Sequence, residues 1–450
     1  MRNFLVKFAA ISALAILLIL AGSLVRGVVN DRIDNREAAR ASITESLAGS
    51  QTLAGPVLIV DYIEEWQAPV FGDKGEILRH EARSQRYQTL ILPETLLLDG
   101  TLISDPRRRG IFQVNAWLLE GRLAGKLRVP LEAELKRFQA DSRLRLTGAS
   151  AAFALSDPRG LRKVVLTLDN QDLPLEAGTG LPGARNGAHA VLPEKSLRAG
   201  QTLDFTMQLS LAGSDGFSMV PLARETSASL NSRWPHPSFG GRFLPVSRNV
   251  GESGFEAQWR ISALASNARQ IWQNALEREH LPTADAFAVN LIDPVDIYSM
   301  SDRAAKYAEL FIALTLGAFL LFELLRRLNL HPMNYLLISA ALLIFFLLLV
   351  SLAEQIGFAL AYLCAASACV LLIGFYSAHL LRSLWLASGF TAGLAMLYGA
   401  LYFILLSEQN ALLMGSLLLF GVIASVMIAT RKLDWHALLA RQEDVLPEVE

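Results

Sequence analysis

Three textures follow one another along the chain. Residues 8–29, FAAISALAILLILAGSLVRGVV, are apolar with no polar face. A long middle part alternates polar and apolar positions in short runs, and residues 305–430 return to near-continuous hydrocarbon. A bilayer crossing needs about 20 mostly apolar residues. That length predicts one span at 8–29 and five more at about 305–325, 335–353, 357–378, 384–406 and 411–430. The first run exceeds the about 7–15 apolar residues of a cleaved signal peptide, and no clear A-x-A site follows it. It reads as an uncleaved anchor.

Charges in the short loops orient the spans, because cytoplasmic loops carry the Lys/Arg excess. Arg2 and Lys7 precede the first span, which sets residues 1–7 in the cytoplasm. Arg326 and Arg327 follow the second span, Arg382 the fourth, and Arg431 and Lys432 the sixth. The loops after the third and fifth spans read EQ (Glu354, Gln355) and SEQN, with no cation. This alternation predicts both termini inside, an acidic cytoplasmic tail at 431–450, and residues 30–304 outside. At the outer mouth of the second span, Asp302 suits an N-cap, Arg303 and Lys306 can snorkel to lipid phosphates, and Tyr298 and Tyr307 suit an interfacial belt.

Within the outer segment, residues 30–50 are polar and helix-favouring and read as a stalk. From 57 onward, VLIVDYIEEW, YQTLILPETLLLDGTLI, GIFQVNAWLLEGRLAGKLRV, RLRLTGASAAFAL, KVVLTLDN, LDFTMQLSLAGS, GFEAQWRIS and AFAVNLID read as strands ending in turn residues. Helical periodicity returns only near 263–278. The expectation is an α+β membrane protein: a large β-rich, sandwich-like periplasmic domain between one N-terminal transmembrane helix and a C-terminal five-helix bundle. Its length leaves open one sandwich or two packed β units.

Composition sharpens this. The 450 residues are 52% hydrophobic and 18% charged, too apolar for an ordinary soluble chain. The formal net charge of −1 offers no basic face for nucleic acid. Both cysteines, Cys364 and Cys369, lie in the apolar last third, so no disulfide staples the middle. His80, His189, His236 and His280 lack zinc-site spacing, and no G-x-S-x-G, P-loop or dinucleotide fingerprint occurs. No catalytic, cofactor or metal residue is expected, so the chain reads as a non-enzyme. EAGTGLPGARNG, residues 176–187, reads as a flexible loop.

Two segments stand out as chemistry. DPRRRG, residues 105–110, sets Arg107, Arg108 and Arg109 in a turn between strands: a solvated hairpin tip, or a contact for anionic lipid or lipopolysaccharide phosphate. RWPHPSFGGRFLPV, residues 233–246, holds Trp234 and His236 extended through the prolines that follow them and permits a sharp turn at Gly240-Gly241. It reads either as a rigid crossover locking two β layers with aromatic plugs, or as a partner surface built from Trp234, His236, Phe239 and Arg242. In the last third, Glu309, Glu323, Glu354 and His379 lie mostly near span ends, which weighs against a proton-coupled pump.

The same stretch carries a resemblance. WPHPSFGGRFLP followed by ESGFEAQW at 252–259 is similar to the signature of the CreD family. AGTGL at 177–181, SDRAAKYAELFIALTL at 301–316, LHPMNYLL at 330–337, LAGPVLIV at 53–60 and LPETLLLDG at 92–100 match as well. The resemblance covers nearly the whole chain. It implies a bacterial inner-membrane protein of an envelope-stress regulon, linked to cell envelope integrity and colicin tolerance, with no enzyme activity, cofactor or catalytic residue. The expected partners are the lipid bilayer and a periplasmic envelope protein, lipid or glycan, the latter bound by the β domain. The alternative is a transporter or lipid-handling protein working through the helical bundle.

Overall fold

The computed structural model describes residues 2–71, 73, 76–110, 112–193, 197–277, 285–292, 297–326, 331–380, 383–407 and 410–431. For 2–15, 17–19, 109, 112, 297–298, 322, 324–326 and 429 only the backbone is described. The chain divides into two compact units, residues 38–294 and residues 1–37 with 295–450.

The β unit is two eight-stranded sheets, with strands numbered in chain order. The first sheet runs β10 (Glu176–Ala177), β11 (Gly187–Val191), β7 (Arg143–Leu155), β1 (Gln51–Phe71), β13 (Gly216–Val220), β18 (Phe287–Leu291) and β15 (Pro237–Gly241), with β2 (Ile77–Ile91) also paired to β1. The second runs β16 (Ser247–Gly251), β17 (Gly254–Ser262), β14 (Glu225–Ser232), β3 (Thr95–Ser104), β6 (Ala116–Arg128), β12 (Thr202–Ser214), β8 (Leu161–Leu168) and β9 (Gln171–Leu173). A two-stranded hairpin, β4 (Arg107–Arg109) with β5 (Phe112–Val114), stands apart.

The alternation that predicted strands is what joins the sheets. In β3, Leu96, Leu98 and Leu102 are buried while Leu97 and Ile103 are exposed. The inward residues of both sheets form one core, with Leu58, Phe153 and Phe287 from the first sheet and Leu98, Trp117 and Trp259 from the second. Burying each such leucine or phenylalanine contributes about 1.5–3 kcal/mol. One shared core answers the open question of one or two β units: residues 38–294 form one. On the other face of the first sheet, Trp272 of α2 (Ala268–Gln273) joins Val57, Leu90 and Leu92 in a smaller cluster. That helix is shorter than the periodicity of 263–278 suggested, because 263–265 form a 3-10 turn.

Several strands had no sequence signal. Residues 77–86 of β2 are exposed throughout, so ILRHEARSQR has no buried face. Strand β14, ETSASLNS, alternates only small residues, with Ala228 and Leu230 inward. The expected flexible loop at 176–187 is instead pinned. Thr179 is buried, donates its hydroxyl to the Ala184 carbonyl at 2.5 Å and accepts from the Leu181 amide at 3.0 Å.

In the other unit, α1 (Arg2–Leu47) is one continuous helix reaching into the β unit, so the expected anchor (8–29) and stalk (30–50) are not separate elements. Five more helices follow: α3 (Ile297–Arg326), α4 (Pro332–Ile356), α5 (Phe358–Leu380), α6 (Leu384–Leu406) and α7 (Ala411–Thr430). All five are long and apolar enough to cross a membrane. The first of these spans, Ser299–Leu321, starts ahead of the expected 305. Asp302 therefore lies within the helix rather than at its N-cap, and pairs with Lys306 at 2.6 Å. The LHPMNYLL motif is a helix start: His331 caps α4, its ring nitrogen accepting from the Met333 amide, with Pro332 at the first helical position. The loop residues 327–330, 381–382 and 408–409, and the tail 432–450, lie outside the described residues.

Candidate functional site

Residues 233–246 leave the second sheet at the end of β14, become edge strand β15 of the first sheet, and return to the second sheet as β16. The segment is a crossover between layers, and its side chains explain its composition. Ser232 donates to the Leu102 carbonyl at 2.6 Å and accepts from the Trp234 amide. The Trp234 indole N–H is shared between the carbonyls of His236, 3.1 Å, and Ile292, 3.0 Å. Pro235 and Pro237 remove two amide donors that an edge strand would otherwise expose. Phe239 packs edge-to-face on Phe255 and Trp259, and Trp259 stacks on Phe287 at 4.8 Å.

Gly241 has φ +77°, and a Cβ there would stand 2.2 Å from the Ala286 carbonyl oxygen. Only glycine fits that turn. It delivers Arg242, whose guanidinium donates to Asp285 at 2.9 Å. Asp285 is 3% exposed and also accepts from the Asn267 amide at 2.6 Å and the Ser266 hydroxyl at 3.2 Å. Arg242 is thus bound to the fold. His236 and Arg233 are exposed.

The arginine turn is the β4–β5 hairpin. Its base is closed by the Asp105 amide donating to the Ala116 carbonyl, and Gly110 turns its tip with φ +61°. Arg107 pairs with Asp105 at 2.5 Å, and Arg108 donates to the Gln113 side chain at 3.2 Å. Among the described residues both arginines bond only within the hairpin, and both are exposed.

Register brings these features together. Strands β3 and β14 are parallel, with Leu102 opposite Ser232, so the hairpin and the crossover leave the same end of the second sheet. A cleft of about 810 Å³ lies there, lined by Thr101, Ser104, Asn231, Arg233, Asn249 and Glu256 among others. The end of α1 meets the same edge, where Arg40 pairs with Asp215 at 2.7 Å and the Ala48 carbonyl accepts from Ser214. Strand β18 also finishes here: the Leu291 amide donates to Asp215, and Asn115, beside the hairpin, donates to the Leu291 carbonyl at 3.4 Å. Both chain connections of the β unit therefore leave from the end that carries Arg107–Arg109, Trp234 and His236. Phe239 is directed into the core, and Arg242 sits at the opposite end of β18, beyond Phe287. The seven sequence candidates are not one site.

Sequence reasoning missed the buried carboxylate Glu64. Glu64 on β1 is fully buried, and one of its oxygens accepts from the amides of Phe138 and Gln139, 3.0 and 2.8 Å, and from the Ser142 hydroxyl, 2.5 Å. Its other oxygen has no partner among the described residues. Burial pushes its carboxyl up, but the Ser142, Gln139 and Phe138 donors and the charge of Arg137 outweigh that, and its pKa lies below the ordinary value. Tyr62 donates to the Lys136 carbonyl, and Tyr87 stacks on Phe138 at 4.3 Å, so residues 136–142 are tethered to the β1–β2 ribbon. The only sequence signal was a glutamate on the inward phase of a strand. In the helical unit, Tyr335 donates to buried Glu323 at 2.5 Å, Tyr362 to the Tyr398 carbonyl, and Tyr398 to the Cys369 sulfur at 3.0 Å. Among the described residues no group of three or more His, Cys, Asp or Glu is arranged to hold a metal.

The family model described as inner membrane protein CreD matches residues 3–436. The inner membrane protein CreD of Escherichia coli K12 is 34% identical over 434 residues, covering 96% of this chain and 93% of that protein. The chain belongs to the CreD family.

Proposed function

We propose that this CreD-family chain is a multi-pass inner-membrane protein that supports cell envelope integrity without enzymatic chemistry of its own. In this reading α1 makes the first crossing. The β unit is periplasmic and binds an envelope protein, lipid or glycan. The observation that carries it is the inserted β unit, whose exposed hairpin, crossover entry and cleft all gather at one end. The periplasmic side is supported by the loop cations: Arg2, Lys7, Arg326, Arg327, Arg382, Arg431 and Lys432 lie in the segments that the positive-inside rule assigns to the cytoplasm. The envelope role is what the CreD resemblance implies.

A second reading keeps the helices as the working part, as a transporter or lipid-handling protein. Its support is the set of polar groups inside the bundle, Glu323 with Tyr335 and Tyr398 with Cys369, since buried polar groups in membrane helices mark transport paths. Two deletions separate the readings in a strain lacking the gene, scored by dye and detergent permeability at matched membrane abundance. A chain without residues 38–294 fails to restore the barrier under the first reading, and a chain ending after α3 retains function. The reverse pattern overturns the first reading in favour of the second.

A further inference from the structure

We propose that the end of the β unit bearing both chain connections is a lipid-contact surface, and that Arg107, Arg108 and Arg233 hold anionic phospholipid headgroups there. This rests on the reading of the chain as a membrane-anchored binding protein and names the ligand class.

The argument is one of chain length and charge. Strand β18 ends at Leu291, and the first span of the helical unit begins at Ser299. The seven peptide steps from Ile292 to Ser299 reach at most about 25 Å, even fully extended. Ile292 is itself fixed to the crossover entry by the Trp234 indole, and Asn115 ties the hairpin base to Leu291. The hairpin base and the crossover entry are therefore tied, through Leu291 and Ile292, to the short connector that leads to Ser299.

What it presents is a positive hairpin. Residues 105–110 hold three arginines against one aspartate, Asp105, which pairs with Arg107. Arg108 bonds only to neutral Gln113. No hydrogen bond or ion pair holds the Arg233 side chain among the described residues. Asp215 is paired with Arg40 and Asp157 with Arg159, while exposed Glu252 stands in the β16–β17 turn near Arg233. Glu256 and Arg233 both line the cleft, so the hairpin carries most of the phosphate contact. Guanidinium groups bind phosphate oxygens in bidentate geometry, and exposed Ile103 and Ile292 beside them supply apolar contact at the same level.

The test is hydrogen–deuterium exchange of the full chain in nanodiscs of phosphatidylglycerol or of phosphatidylcholine. Each arginine at an anionic surface strengthens association about fivefold. Exchange across residues 105–114 should slow at least about fivefold in phosphatidylglycerol. Arg107→Gln/Arg108→Gln/Arg109→Gln should abolish the difference. Arg79→Gln/Arg83→Gln, on the exposed β2 ribbon, should retain it. Equal exchange of the unaltered chain in the two lipids overturns the proposal. Equal slowing by inorganic phosphate in phosphatidylcholine discs overturns it too, in favour of a free-anion site. The envelope reading fails separately: a lipid-dependent hairpin whose triple variant still restores the barrier leaves the contact standing and removes its role.

Discussion

The crossover at residues 233–246 and the hairpin at 105–114 begin at the same end of one sheet, yet they are built on opposite principles. In the crossover nearly every distinctive residue is consumed by the fold. Trp234 bridges two carbonyls, Phe239 fills a gap between aromatic rings, Gly241 occupies a turn closed to any side chain, and Arg242 meets a buried aspartate. In the hairpin Arg107 and Arg108 bond to their neighbours Asp105 and Gln113 and are exposed. An unusual composition is thus no measure of availability. The stretch richest in rare residues is the clamp between layers, while Arg107 and Arg108 of the plainer run stay exposed.

This contrast can be broken at its strongest point first. Trp259 is 2% exposed, stacks on Phe287 and donates to the Phe243 carbonyl. Trp259→Ala should cost about 3–5 kcal/mol, read as a lowered denaturant midpoint of the detergent-solubilised chain. A loss below about 1 kcal/mol would mean that the crossover is not clamped. Gly241→Ala comes next, at about 1–3 kcal/mol for a left-handed backbone, with the 2.2 Å approach to Ala286 added. A variant as stable as the unaltered chain would show that the turn relaxes freely.

A third prediction uses pH. The Glu64 pKa is lowered in the folded state, so its contribution is fully present above the unfolded value of about 4.3 and is lost as pH falls through the folded value. The stability gap between the unaltered chain and Glu64→Gln should be constant from neutral pH down to about 4.3 and close in more acid solution. A gap that widens on acidification contradicts the assigned hydrogen bonds. The smallest effect belongs to the hairpin. Arg107→Gln/Arg108→Gln/Arg109→Gln should change stability by less than about 1 kcal/mol, because exposed pairs contribute little. A larger loss would make the hairpin a structural part like the crossover.

The layers of the fold were legible where side chains alternate in size and polarity. Strands β3, β6 and β12 are examples, and so are the five apolar helices. Strand β14 escaped because serines and alanines give little contrast, and the ribbon half of β2 because neither face is buried. The crossover was recognisable from its prolines and glycines, but Asp285 was not, since its pairing with Arg242 joins positions far apart in sequence. Nor could the sequence say that the arginine turn and the crossover entry share an end. That follows from the parallel register of β3 and β14, which no local pattern encodes. The continuity of α1 was hidden because its composition changes from apolar to polar while its helical backbone does not.

The central claim is that the arginine hairpin, rather than the Trp234–Arg242 clamp of the crossover, is the main working surface. It is tested most directly by dye permeability of a deletion strain complemented with Arg107→Gln/Arg108→Gln/Arg109→Gln, with the membrane level of the variant matched to the unaltered chain. The account predicts a stable, abundant protein that leaves the envelope leaky. Full restoration of the barrier at that level would contradict it.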